Sequence, residues 1–176
     1  MNRCKNILLR SLVVSAGVLS AACERDDICP ENTAGTPAAQ VVFRTYDPAG
    51  EPIEYTPQGV HFYGLRGNER LEEISYSEGS ASLQLFVDFE SETTRYLIEQ
   101  AGKSDTLTFD YEPELEFISK ACGFRFVFSA MTARCTSEGP VSHFTADIED
   151  APAEGRLFDS RQTVATIYFS TQAQQP

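Results

Sequence analysis

The sequence predicts an all-β protein built from two packed antiparallel sheets. Three observations lead there. From residue 39 onward, apolar residues recur with a period of two, and long helical patterns are hard to find. Turn signals interrupt the pattern at short intervals: "DPAGEP", "RGNER", "SEGS", "EQAGKSD", "SEGPVS" and "DAPAEGR". The segments between them are rich in Phe, Tyr, Val, Ile and Thr, which suit a pleated, half-buried surface.

The candidate strands follow in chain order. "QVVFRTY" is β-branched and aromatic, and "GVHFYGL" sets Val60 and Phe62 against His61 and Tyr63. "RLEEISY" alternates Glu72, Ile74 and Tyr76 with Glu73 and Ser75. "SLQLFVDF" presents Leu83, Leu85, Val87 and Phe89, and "TTRYLIEQ" presents Tyr96 and Ile98. The clearest run is "TLTFDYEPELEF". Leu107, Phe109, Tyr111, Pro113, Leu115 and Phe117 share one parity, so one face should be buried and the other wet. Pro113 has no N–H to give a ladder and marks an edge, a bulge or a corner between strands. "FRFVFSAM" presents Phe124, Phe126 and Phe128, "HFTADIE" presents Phe144, Ala146 and Ile148, and "VATIYF" closes the series. The pattern is weakest at 150–162, the one loop where a helix would fit. About nine or ten short strands at this spacing suggest an immunoglobulin-like antiparallel β-sandwich. A closed β-barrel is the alternative.

The sandwich domain is placed at 39–170, with a disordered tail at 171–176. Residues 1–22 have the layout of a signal peptide: a basic start (Arg3, Lys5), an apolar run through Leu19, and the small residues Ser20, Ala21 and Ala22. The run is too short to span a bilayer, which takes about 20 residues. "LSAAC" resembles a bacterial lipobox, with Cys23 as the lipidated residue, although Leu19 stands one place further from the cysteine than usual. Cleavage after Ala22 for ordinary secretion is the alternative. Residues 23–38 then form a lipid-anchored acidic tether.

Cys29, Cys122 and Cys135 remain in the mature chain, and an oxidising compartment predicts a disulfide. Cys29 with Cys122 would staple the leader "ICPENTAGTPAAQ" to the folded body, closing a loop of about 90 residues worth about 4–5 kcal/mol. Cys122 with Cys135 is the rival pairing.

Net charge is −12, and the first 22 residues carry three bases and no acid, leaving 11 bases against 26 acids beyond them. Such a body repels phosphate backbones and anionic lipid surfaces, so nucleic acid is excluded as a partner and membrane attachment falls to the lipid.

The segments "ERDDICPENTAGTP", "FRTYD", "FYGLRGN", "DTLTFDY", "ISKACGFRFVF" and "IYF" together resemble a family of small uncharacterised lipoproteins of Gram-negative, Bacteroidetes-type bacteria, a domain of unknown function. Its most specific piece is Cys122-Gly123-Phe124 together with Asp27-Ile28-Cys29; Cys135 is foreign to the pattern. The resemblance implies an exported, lipid-anchored domain on the outer membrane, at its surface or periplasmic face. It brings no catalytic residue and no cofactor.

Chemistry is sparse. The chain has no G-x-S-x-G elbow and no P-loop or dinucleotide fingerprint. A nucleophile triad would need His61 or His143, whose strand neighbours are apolar, so both should project to water. Asp110, Glu112, Glu114 and Glu116 share one parity. They read as a solvated edge that resists aggregation, or more sharply as calcium ligands. Tyr46, Tyr63 and Tyr168 are the aromatics that could serve a glycan. The leading function is therefore a non-enzymatic envelope lipoprotein, a structural or protein-interaction module. An extracellular module for glycan or calcium is the alternative, and a hydrolase using paired carboxylates is third.

Overall fold

The computed structural model describes residues 28–77, 79–148 and 155–170. The expected signal peptide, Cys23 and the 171–176 tail lie outside the described residues. Among the described residues ten strands follow one another: β1 (Ala39–Tyr46), β2 (Pro52–Glu54), β3 (Val60–Arg66), β4 (Glu69–Glu73), β5 (Ser82–Leu85), β6 (Thr93–Gln100), β7 (Lys103–Ser119), β8 (Gly123–Cys135), β9 (Val141–Thr145) and β10 (Thr163–Phe169). Among the described residues the chain divides into a small unit, 28–33 with Ile118–Gly123, and a large one, within Ala34–Phe117, 124–148 and 155–170.

The large unit is a β-sandwich of two five-stranded sheets. One has the order β2-β1-β10-β9, with β5 also on β1; the other has the order β4-β3-β6-β7-β8. No barrel closes among the described residues. One pairing departs from the antiparallel expectation: β1 and β10 run parallel, with Phe43 opposite Ile167. A parallel pair needs a long crossover, and here everything between the first and last strands supplies it.

The period-two residues meet between the sheets. Phe43 of β1 stacks on Phe62 of β3 with centroids 5.6 Å apart, and meets Phe169 of β10 edge-on at 5.8 Å. Phe109, Phe128, Leu107, Ile98 and Ile167 are fully buried beside them. β10 has a strand on either side, which matches its nearly continuous burial. β4 is the opposite case: all five of its residues are exposed on an edge, and Ile74 and Tyr76 just beyond it pack against the core.

The loop at 150–162 contains no helix among its described residues. Phe128 and Leu157 exchange backbone bonds of 3.0 and 2.7 Å, and Met131 donates to Gly155 O at 2.7 Å. Leu157 is fully buried, so its backbone must find partners, and the open flank of β8 provides them.

Pro113 does not interrupt β7, which runs 17 residues through it. The β6 register ends at Thr93 opposite Asp110, so Pro113 lies three residues past the last partner on that flank. The expected edge is the role it takes. Parity misled beyond that point. Leu107, Phe109 and Tyr111 are buried, yet Leu115 and Phe117 on the same face are 59% and 57% exposed. Alternation says which side chains share a face; it does not say that anything covers them.

Candidate functional site

The carboxylate row on β7 is held by arginines. Asp110 pairs with Arg134 of β8 and accepts from the Thr93 hydroxyl at 2.8 Å. Glu116 takes Arg125 at 2.6 Å, and Arg156 stands 3.6 Å from Glu116 and 3.8 Å from Glu114. Glu112 is exposed and makes no ion pair among the described residues. Cations of the chain itself thus sit where a calcium ion would have to enter. Among the described residues, no three His, Cys, Asp or Glu side chains are grouped to hold a metal. Both histidines face water as expected: His61 lies 2.7 Å from Glu73, and His143 is exposed beside Tyr168.

Two of the three predicted tyrosines come together. Tyr46 and Tyr168 stack on the wet face of the β1–β10 pair at 5.0 Å with planes 13° apart, and His143 on β9 lies 5.2 Å from Tyr168. Tyr46 is 42% exposed. Tyr63 sits on the other sheet beneath the guanidinium of Arg70, 4.3 Å from its ring centre. A separate groove of about 310 Å³ opens beside β3 and β6, lined by Arg66, Arg95, Phe86, Asp88, Ser91 and Thr93 among others. Arg95 donates to Gly67 O at 3.1 Å, and Asp88 is the groove's one carboxylate.

Two polar centres escaped the sequence reading. Asp105 at the start of β7 is 2% exposed. It accepts the Thr136 hydroxyl at 2.8 Å and the backbone N–H groups of Glu138, Gly139 and Val141 at 2.8–3.1 Å. It thereby fixes the β8–β9 loop. Only the apolar parity of its neighbours, which puts position 105 on the buried side, could have flagged it. The second centre is a closed ring of hydrogen bonds. Asp88 N–H donates to Thr94 Oγ1 at 2.9 Å, Thr94 lies 2.6 Å from the Tyr111 hydroxyl, and Tyr111 donates back to Asp88 O at 2.6 Å. Tyr96 adds a bond to Phe86 O. Burial pushes the Tyr96 and Tyr111 hydroxyls up in pKa, so they stay donors. Pinned in this way, the loop stacks Phe89 on Phe126 at 4.7 Å.

The cysteines resolve as the first of the two pairings. Cys29 and Cys122 form a disulfide across 93 positions, within the small unit. The Cys122 N–H donates to Ser119 Oγ at 3.0 Å, and the Thr33 hydroxyl lies 3.6 Å from Cys122 Sγ. Cys135 is a free thiol, pushed up to about 12 by burial and then by the Asp105 carboxylate.

Residues 63–149, just under half of the chain, match a family of unknown function (DUF6452). The match covers Cys122-Gly123-Phe124 and leaves Asp27-Ile28-Cys29 outside. No curated protein and no solved structure matches the chain.

Proposed function

We propose that this protein is an exported lipoprotein, held on the outer membrane by a lipid on Cys23, whose acidic β-sandwich works as a non-enzymatic structural or protein-interaction module. The observation that carries this reading is the Cys29–Cys122 disulfide. Such bonds persist outside the reducing cytosol. This one begins six residues after a cysteine that follows an apolar run and small residues, where lipid attachment belongs. Two or three acyl chains at about 0.8 kcal/mol per buried methylene hold a protein stably. The Gram-negative outer membrane comes from the lipoprotein resemblance.

Fractionation of a Gram-negative host tests it. The wild-type chain should collect with the membranes and partition into detergent, and Cys23→Ser should be released as soluble periplasmic protein. Recovery of both forms from the cytosol would defeat the proposal.

A second reading has one observation in its favour. The Tyr46–Tyr168 stack with His143 is an aromatic surface on a wet sheet face, the kind of platform that sugar rings use. Calorimetric titration with neutral oligosaccharides should then give heat that the Tyr46→Ala, Tyr168→Ala double variant loses; no heat with the wild type would end this reading. Its calcium form would need millimolar calcium to raise the Tm despite the arginines on the row.

A further inference from the structure

The hairpin of β7 and β8 has two unlike faces past Pro113. One carries Glu114 and Glu116 with Arg125 and Arg156 against them. The other carries Leu115, Phe117 and Phe124, which are 59%, 57% and 61% exposed. Phe117 and Phe124 touch edge-on with centroids 5.2 Å apart, so they form one apolar surface rather than scattered residues. Large exposed aromatics grouped on one face mark a contact with a partner or a membrane.

Chain connectivity selects between these. The turn that joins the two strands contains Cys122, whose partner Cys29 is six residues from Cys23. Six residues reach at most about 21 Å even when fully extended. If Cys23 carries the lipid, the turn cannot leave the neighbourhood of the bilayer surface. Phe124 follows that turn by two positions, and Phe117 is its partner across the hairpin. Charge cannot draw this acidic chain to anionic lipid, whereas exposed Phe and Leu side chains can bury their apolar area at the headgroup–acyl boundary without charge.

We propose that Leu115, Phe117 and Phe124 insert into the headgroup–acyl boundary of the leaflet that holds the Cys23 lipid, as a second, non-covalent foot on the membrane. This rests on the lipoprotein reading above. The foot would limit how the sandwich turns about its tether, beyond the attachment that the acyl chains already supply.

The chain has no Trp, so a single introduced indole reports its own surroundings. Phe124→Trp, Phe117→Trp and, as control, Ile53→Trp on the exposed strand β2 are prepared in the full lipidated chain. Each is reconstituted into phosphatidylethanolamine–phosphatidylglycerol vesicles with brominated acyl chains. Both hairpin variants should lose emission to bromine and shift to shorter wavelength, with no change at high salt. Ile53→Trp should keep its water-like emission. If the protein floats with the vesicles but the hairpin variants are quenched no more than Ile53→Trp, the proposed foot does not exist. If the protein does not float with the vesicles, the lipid anchor itself is absent and the foot falls with it; flotation separates the two failures.

Discussion

Among the described residues, Asp105 accepts more hydrogen bonds than any other side chain. Three backbone N–H groups and a hydroxyl converge on one buried carboxylate, and such charge-assisted bonds are about twice as strong as neutral ones. Asp105→Asn would turn an NH2 group toward N–H donors, and about 3 kcal/mol of stability should be lost, read from urea unfolding. Gly139 belongs to the same device. A Cβ there would run into Ser104 O and come 2.9 Å from Asp105 Oδ2, so Gly139→Ala should cost about 1–3 kcal/mol in the same assay. Cys135 gives a kinetic prediction. With its pKa pushed up to about 12, almost no thiolate exists at pH 8, and iodoacetamide should label it at least about a hundredfold more slowly than an exposed cysteine of pKa about 8.5. Of these three residues the sequence marked only Cys135, as the rival partner of Cys122 and as foreign to the family pattern. Asp105 and Gly139 act through a loop that closes on β7 across more than thirty positions, and that contact has no local pattern.

At the scale of elements, the β6–β7 hairpin and the disulfide are the informative parts. Gln100 pairs with Lys103 across a two-residue turn, Ala101-Gly102, with φ values of 51° and 77°. Hairpin turns of this length take left-handed residues, which glycine accepts freely and alanine does not. Ala101→Asn should therefore raise stability by up to about 1 kcal/mol, seen as a higher Tm. The Cys29→Ser, Cys122→Ser double variant opens a covalent loop of 93 positions, and the chain-entropy relation gives a loss of about 4–5 kcal/mol. Its Tm should fall accordingly, and that of Cys135→Ser should change much less. The strands were legible because their alternation is regular and their turns carry Gly, Pro and Asp. The long β7 was legible in period but not in burial: Leu115 and Phe117 continue the pattern of Leu107 and Phe109 after the covering layer has ended. The parallel β1–β10 pair left no mark either, since alternation does not record strand direction.

The whole molecule combines a dry two-sheet core, an acidic exterior and a leader bonded to one hairpin turn. Among the described residues, five arginines of the large unit, Arg70, Arg125, Arg134, Arg156 and Arg161, are spent on its own carboxylates at Glu99, Asp110, Glu114, Glu116 and Asp159, which tempers repulsion within a chain of net charge −12. Apart from Arg125–Glu116, which is partly buried, these pairs are exposed and each worth at most about 1 kcal/mol, so their service is to balance charge rather than to hold the fold. The proposed function depends on the path of the chain before Cys29. Intact mass of the protein extracted from membranes, measured with and without reductant, tests that path most directly. The expected mass is that of residues 23–176 plus a diacylglyceryl group with or without a further acyl chain, two hydrogens lighter before reduction than after. A mass equal to the full unmodified chain with all five thiols reduced would contradict export, anchor and disulfide together.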